Sequence, residues 1–327
     1  MFLVPDFKGH DIFPHHLNLP IMRYKGLCFA LSVLLMALSV GLVAVKGFNL
    51  GVDFKGGSMI EVRSKSGEAD IGAMRSSLGD LGLGSVTIQH IGDAGDVLIR
   101  VEQQPGEEEA QQAAAKKVLD TLGDGYELRR VEVVGPAVSG ELRITGIIAV
   151  LVACVAIWAY VWFRFEWQFS IGVLLGLLHD VLLTAGFFSL FNLQVDLGIV
   201  AGFLTVLGYS INDSIVVADR IRENLRKFKK MPLTELLNLS VNETLSRTVL
   251  TGLTTLVVLF ALLFFGGEVI RNFVICMLLG VVIGTYSSIF IAAPVIDYLG
   301  IRRDWSGDPI GSKGTKGGGG QRAAASP

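Results

Sequence analysis

Charged residues are scarce in this chain of 327 residues. Asp, Glu, Lys and Arg make up 18% of the sequence, hydrophobic residues make up 51%, and the formal net charge is −2. Soluble globular domains carry about 25% charged residues. The shortage excludes an ordinary soluble domain, and we expect no nucleic-acid partner.

Cysteine is also rare. The three cysteines, Cys28, Cys154 and Cys276, lie in or beside apolar runs, where cysteine usually behaves as a small buried hydrophobe. Their spacing matches neither a disulfide framework nor a metal site. We therefore expect no metal and no bound cofactor.

Long apolar runs are abundant. A helix needs about 20 apolar residues to cross the hydrocarbon layer, and six runs are long enough. They cover residues 27–46, 143–163, 168–191, 197–219, 248–267 and 271–297. The first run is followed by others and lacks a small-x-small cleavage site, so we expect an uncleaved helix rather than a signal peptide. The sequence predicts an integral membrane protein with both termini on one side.

Basic residues are concentrated in alternate loops. Arg23 and Lys25 precede the first run, Arg302 and Arg303 follow the last, and residues 220–230 are rich in Lys and Arg. Cytoplasmic loops carry the excess of these residues. Both termini are therefore predicted to be cytoplasmic.

A polar segment, residues 47–142, separates the first two runs and is large enough to be a domain. Its pattern predicts strands at residues 58–63, 86–90, 96–102 and 126–134 and helices at 70–81 and 107–122. The order β-α-β-β-α-β is that of the ferredoxin-like arrangement. The topology places this domain outside the cytoplasm, and nothing in it suggests an enzyme.

Three further segments flank or interrupt the apolar runs. Residues 1–26 form a cytoplasmic N-terminal segment. Residues 220–247 are predicted to be a cytoplasmic loop with a short amphipathic helix along the membrane surface, interrupted at Pro232. Residues 300–327 form a cytoplasmic tail that is rich in glycine, has little to bury and is expected to be disordered.

An aspartate interrupts the fourth run. Asp213 lies in the sequence GYSINDSIVV, residues 208–217, and an ionisable group at membrane depth is by default a functional candidate. Residues three, four, seven or eight apart share a helix face. The fourth run thus has a polar stripe of Thr205, Tyr209, Asn212 and Asp213, and the fifth has one of Arg247, Thr251, Thr254 and Thr255.

Asp213 and Arg247 together predict a proton-coupled switch. Burial favours the protonated form of a carboxyl group, whereas a nearby arginine favours the ionised form. A movement that changes their separation would therefore load or release a proton, with Asn212, Tyr209, Thr251 and Thr254 as supporting polar residues. The alternative is a static buried pair that fixes the register of the helices.

The third run holds a second candidate, His179 with Asp180. Histidine can shuttle protons near neutral pH, but a hydrogen bond within the helix bundle explains the pair equally well. Two aspartates in membrane helices also raise the possibility of an intramembrane aspartyl protease. Neither span contains a Gly-x-Gly-Asp element, so we set the protease aside.

Two glycine-containing motifs mark the junctions between the domain and the membrane. Gly51, Asp53, Gly56 and Gly57 lie in GVDFKGG after the first run, where the glycines permit a tight path and Asp53 can bond nearby amides. A phosphate-binding loop would need Gly-Lys-Ser/Thr followed by a helix, and both are missing. Gly135 and Pro136 precede the second run, where Pro136 stiffens the path.

The chain resembles the SecD/SecF family of bacterial protein export, a branch of the RND superfamily, from about residue 20 to 300. The resemblance rests on an ordered set of motifs. They are GVDFKGG at 51–57, VGP at 134–136, His179-Asp180, GYSINDSIVVADRIREN at 208–224, and LSRT at 245–248 with Thr251, Thr254 and Thr255.

The resemblance implies a periplasmic ferredoxin-like domain and six helices that form half of an RND-type bundle. It implies SecD, the SecYEG translocon and YajC as partners, with an unfolded preprotein on the periplasmic side. It further implies assistance to late preprotein translocation by the proton motive force. Asp213 and Arg247 match the proton-pathway positions of the family, with protons as the coupling ion.

Two alternatives stay open. A half-unit of a small-molecule RND exporter would need a far larger domain than 95 or so residues. A passive scaffold that only stabilises its partners would tolerate loss of the ionisable residues.

Overall fold

The computed structural model describes residues 18–301. The expectations for residues 1–17 and for the tail from residue 302 lie outside this range. In chain order the helices and strands are α1 (Lys25–Lys46), β1 (Asn49–Leu50), α2 (Val52–Lys55), β2 (Gly57–Ser64), α3 (Ile71–Gly79), β3 (Val86–Ile91), β4 (Asp93–Val101), α4 (Glu108–Leu122), β5 (Tyr126–Val134), α5 (Pro136–Arg164), α6 (Trp167–Leu190), β6 (Gln194–Val195), α7 (Leu197–Lys227), α8 (Leu233–Phe265), α9 (Glu268–Ser287) and α10 (Ala293–Leu299).

Six helical segments of the described residues are long and apolar enough to cross a membrane. A 3₁₀ turn at Ile21–Tyr24 extends α1, and a π-helical turn at Ser288–Ala292 joins α9 to α10, so each pair forms one span. The other four spans are α5, α6, α7 and α8. The predicted number of spans is confirmed.

Residues 220–247, predicted to be a loop with a short helix interrupted at Pro232, are mostly helical. Helix α7 continues to Lys227 and α8 begins at Leu233, directly after Pro232, which leaves residues 228–232 as the connection. The two helices have 31 and 33 residues, well beyond the roughly 20 needed to cross the hydrocarbon layer. The polar ends of two long helices therefore take the place of the predicted short helix.

The segment between α1 and α5 folds into a four-stranded antiparallel sheet in the order β3-β4-β2-β5. The element order is strand, helix, strand, strand, helix, strand, as the pattern predicts. Asp70 caps α3 by accepting a hydrogen bond from the Ala73 amide at 2.9 Å. The apolar core lies between the sheet and the two helices, where Ile60, Leu78, Ile99 and Val118 are fully buried.

The bundle is centred on α7, which packs most extensively against α9. Glycines make this contact close: a Cβ atom at Gly280 would lie 2.1 Å from Val206 Cγ2, and one at Gly284 would lie 3.1 Å from Ser210 Cβ. Small residues of this kind let helix backbones approach each other in membranes. The seam between α7 and α9 therefore depends on glycine at both positions.

The open face of the sheet lies over one end of the bundle, which we call the domain end. A cavity of about 800 Å³ separates the two and is lined by Glu61 and Arg100 from the sheet and by Gln194 and Asp196 from the bundle. The domain thus has one face covered by its own helices and the other turned toward the membrane helices.

Candidate functional site

Asp213 lies in the interior of the bundle, near the middle of α7. It follows Leu197 by sixteen residues, about 24 Å along the helix at about 1.5 Å per residue. Its side chain is buried, with 3% of the residue exposed. The sequence-based expectation of an aspartate at membrane depth agrees with this placement.

Buried hydroxyl groups of Tyr209 of α7 and Thr285 of α9 lie near the Asp213 carboxyl group and interact with it. Neither hydroxyl group nor Asp213 Oδ2 forms a hydrogen bond of good geometry. A Cβ atom at Gly252 would lie 3.8 Å from Tyr209 Oη and 3.5 Å from Thr285 Oγ1. Buried polar groups are usually paired, so this cluster departs from the usual pattern.

Arg247 approaches Asp213 from α8 but does not form a salt bridge with it. The arginine side chain is exposed, and it acts on the Asp213 carboxylate electrostatically. Asp213 lies inside the bundle and Arg247 at its surface. The proton-coupled switch between them stays a prediction.

The supporting residues do not all reach the site. Asn212 and Thr254 are exposed. The hydroxyls of Thr251 and Thr254 donate to carbonyls of their own helix, Thr248 O at 3.0 Å and Thr251 O at 2.9 Å. Tyr209 is the supporting residue whose polar atom lies in the cluster. The helical periodicity placed the threonines on one face but could not show that their hydroxyls bond to the preceding turn.

His179 and Asp180 form a second cluster, and here every carboxylate oxygen is used. Asp180 Oδ1 lies 2.9 Å from His179 Nδ1. Asp180 Oδ2 accepts hydrogen bonds from Ser210 of α7 at 2.5 Å and from Ser287 of α9 at 2.9 Å. The ring of His179 stacks on Tyr286, with 5.8 Å between the ring centroids. Asp180 thus ties together three helices.

Sequence reasoning missed three residues of these clusters: Ser210, Thr285 and Ser287. Ser210 precedes Asp213 by three residues in the same motif, so its helix face was a usable signal. Thr285 and Ser287 stand in the run Thr285-Tyr286-Ser287-Ser288 of the last span. That interruption of an apolar run was a second usable signal.

The junction motif GVDFKGG contains one turn of helix, α2, instead of an irregular path. Asp53 does not bond the amides beside it: its Oδ2 accepts a hydrogen bond from the Leu197 amide of α7 at 2.9 Å. Gly56 and Gly57 have φ values of 77° and 115°, the region that favours glycine. Gly135 is the residue before α5 and Pro136 its first residue, a position that suits proline because its nitrogen needs no partner there.

Burial shifts the pKa of two groups that line the cavity between the sheet and the bundle. Burial lowers the pKa of the Arg100 guanidinium, and the Asp196 carboxylate partly opposes this shift. Burial likewise raises the pKa of Asp196, although the Ile199 amide donates to its side chain. Among the described residues, no group of three or more His, Cys, Asp and Glu side chains is placed to hold a metal ion.

Six apolar helices with a buried carboxylate in their midst define a multi-pass membrane protein. A family model described as "Protein export membrane protein SecD/SecF, C-terminal" matches residues 114–302, and the "SecD/SecF GG Motif" model matches residues 41–68. The chain belongs to the SecD/SecF family, as its motifs predicted.

Similar proteins are protein translocase subunits, a transport role. The chain is 45% identical over 299 residues to protein translocase subunit SecF of Cereibacter sphaeroides, covering 89% of this chain and 92% of the relative. It is 41% identical over 294 residues to SecF of Rickettsia akari, covering 89% and 95%.

Two solved structures have a similar fold. SecDF from Thermus thermophilus matches with a TM-score of 0.77 and 36% identity, over 88% of this chain and 39% of that one. SecDF in its super-membrane-facing form matches with a TM-score of 0.64 and 37% identity, over 87% and 39%. The chain therefore spans 39% of those longer chains.

Proposed function

We propose that the chain is a SecF-type subunit that assists late preprotein translocation by using the proton motive force. SecD completes the bundle, SecYEG and YajC are the further partners, and the substrate is an unfolded preprotein emerging at the domain end. The homologues support the translocon role. The observation that carries the coupling mechanism is the buried Asp213, whose Oδ2 lacks a hydrogen-bond partner.

The orientation belongs to the same proposal. The protein lies in the inner membrane with both termini in the cytoplasm, so the ferredoxin-like domain is periplasmic and the six helices form half of an RND-type bundle. The basic residues in 220–230 lie where α7 ends and α8 is about to begin, at the end of the bundle remote from the domain. They support this orientation. No cofactor takes part, since the proton is the coupling ion.

The mechanism is a change of charge in a low dielectric. A proton that enters from the periplasmic side neutralises Asp213 and removes the attraction of Arg247 for it. Moving one charge through a potential of 100 mV releases about 2.3 kcal/mol. That free energy shifts the equilibrium between two arrangements of α7 and α8 by nearly two orders of magnitude.

The replacement of Asp213 by Asn tests the coupling. We expect Asp213→Asn to remove most of the uncoupler-sensitive part of preprotein release from spheroplasts, at equal membrane levels, because the amide cannot change charge. Asp219→Asn is the matched control: it makes the same change on the same helix at an exposed position, and should leave release unchanged.

Each other outcome supports a different function. Normal release with Asp213→Asn would contradict proton coupling and favour the passive scaffold. A loss of small-molecule export with intact preprotein release would favour the RND exporter. Co-purification of the wild-type chain with SecD checks the partner independently of transport.

A further inference from the structure

The connection from α1 to the domain is fastened to the start of α7. Strand β1 pairs with β6 in parallel, with Asn49 opposite Gln194 and Leu50 opposite Val195. The Gly51 amide continues this pairing by donating to Val195 O at 2.7 Å. A Cβ atom at Gly51 would lie 2.8 Å from Gln194 Nε2, so the two segments are in close backbone contact.

Asp53 adds a bond to the helix itself. Its Oδ2 accepts the amide hydrogen of Leu197, the first residue of α7. The helix also has its own cap, because Asp196 Oδ1 accepts from the Ile199 amide at 3.0 Å. The first amides of a helix lack partners within it and attract negative charge. Asp53 is therefore a second cap that another part of the chain supplies.

Phe54 anchors the same segment in the apolar core. It is 6% exposed and packs in the cluster that contains Phe188, Val195 and Ile199. A Cβ atom at Gly146 of α5 would lie 3.8 Å from Phe54 Cε1 and 3.4 Å from Val200 Cγ2 of α7. The phenyl ring thus lies where α5 and α7 come together.

The sheet begins immediately after this anchor. Gly56 precedes β2 and Gly57 is its first residue. Strand β2 is an inner strand between β4 and β5. A Cβ atom at Gly57 would lie 2.4 Å from Val101 O, so a side chain would push β2 from β4. Only three residues separate Asp53 from the first residue of β2, too few for a flexible spacer.

We propose that residues 49–57, which we call the α7 link, transmit displacement of α7 to the domain, with Asp53 as the residue that positions them on the helix. The inference rests on the proposed coupling at Asp213, which lies on that same helix. A shift or rotation of α7 moves the Leu197 amide, and Asp53, Phe54 and the β1–β6 pair carry β2 with it. The domain then moves as a body, since β2 is bonded on both sides.

The competing explanation is a static anchor that only holds the domain in place. Asp70 provides the matched control, because it accepts an amide hydrogen bond of the same 2.9 Å length at the start of α3, wholly inside the domain. Asp70→Ala and Asp53→Ala each remove one helix cap, yet only the second breaks a bond between the domain and α7.

We expect Asp53→Ala to lose most of the uncoupler-sensitive part of preprotein release at equal membrane levels, and Asp70→Ala to keep it. Asp53→Asn retains an acceptor oxygen and should keep more activity than Asp53→Ala. Two changes on one path are not additive, so Asp53→Ala should cause no further loss in an Asp213→Asn background. Normal release with Asp53→Ala, or full additivity, would overturn the link.

A structural readout separates this inference from the proposed function. In the purified complex with SecD, the Leu197 amide of Asp53→Ala should exchange hydrogen about 10- to 150-fold faster, the range expected for the loss of one hydrogen bond to a charged group. Spin labels at the exposed residues Leu128 and Leu190 should report a broader distance distribution in Asp53→Ala than in Asp70→Ala. Unchanged distances would contradict the link even if Asp213 is essential. Broader distances with a dispensable Asp213 would keep the link and refute the coupling.

Discussion

The domain and the bundle treat their buried polar groups differently. In the domain, Gln111 is fully buried and its amide bonds both Gln104 N at 2.8 Å and Gln104 O at 2.7 Å, while Ser58 donates to Gln111 O at 3.1 Å. In the bundle, Asp213 and Tyr209 each bury a polar atom without a partner. The unpaired group of the domain is Arg100 Nε, on the face turned toward the bundle.

The paired polar groups of the domain favour a single conformation, whereas the unpaired polar groups of the bundle do not. A satisfied neutral amide fixes one conformation, whereas an unsatisfied carboxyl group has a high free energy that a proton or a new contact lowers. Within the bundle the same distinction separates Asp180, whose oxygens are all used, from Asp213. We therefore expect the carboxylate of Asp180 to hold its three helices in one arrangement more firmly than that of Asp213 does.

The largest effect is expected from replacing Asp180, whose carboxylate is fully hydrogen-bonded. Asp180→Ala leaves His179 Nδ1 and the Ser210 hydroxyl buried without an acceptor, at about 1 to 3 kcal/mol for each group. We expect a loss of about 2 to 5 kcal/mol in the free energy of unfolding, seen as a lower thermal midpoint of the detergent-solubilised protein. Asp180→Asn keeps one acceptor oxygen and should lie between Asp180→Ala and wild type. A midpoint that equals wild type in Asp180→Ala would show that the cluster fixes nothing.

The next prediction concerns the domain core. Destabilising this core should accelerate hydrogen exchange in the domain alone. Leu78 is fully buried against the sheet, and a Leu to Ala change in a core costs about 2 to 5 kcal/mol. Leu78→Ala should accelerate hydrogen exchange in β2, β4 and β5 of the whole protein while leaving α7 and α9 unchanged. Leu128→Ala, on an exposed position of β5, is the control. Faster exchange in α7 as well would show that the two regions unfold together.

The smallest effect concerns pH at the surface of the domain. The hydrogen bonds from the Arg63 guanidinium hold the pKa of Asp96 below its usual value. Because the folded pKa is lowered, the stabilisation is complete above the unfolded pKa of about 3.9 and disappears as the pH falls through the folded pKa. Hydrogen exchange of β4, compared between wild type and Asp96→Asn, should differ at pH 6 and converge toward pH 2. A constant difference would contradict the linkage.

Much of the fold follows from short-range patterns. The strand Tyr126–Val134 and the cap at Asp70 were predictable because alternation and capping are local. The lengths of α7 and α8 were not, since polar helix ends look like loop when hydropathy alone is read. Asp213 could be found as a charge in an apolar run. Its contact with Thr285 of α9, and that of Asp53 with Leu197, depend on tertiary packing that no local pattern encodes.

The close seam between α7 and α9 has a consequence for leakage. A Cβ atom at Gly280 would overlap Val206, so no water molecule fits between these two residues. A chain of water molecules therefore cannot run between α7 and α9 at Gly280. Any file of water that reaches Asp213 would have to approach it from another side of α7.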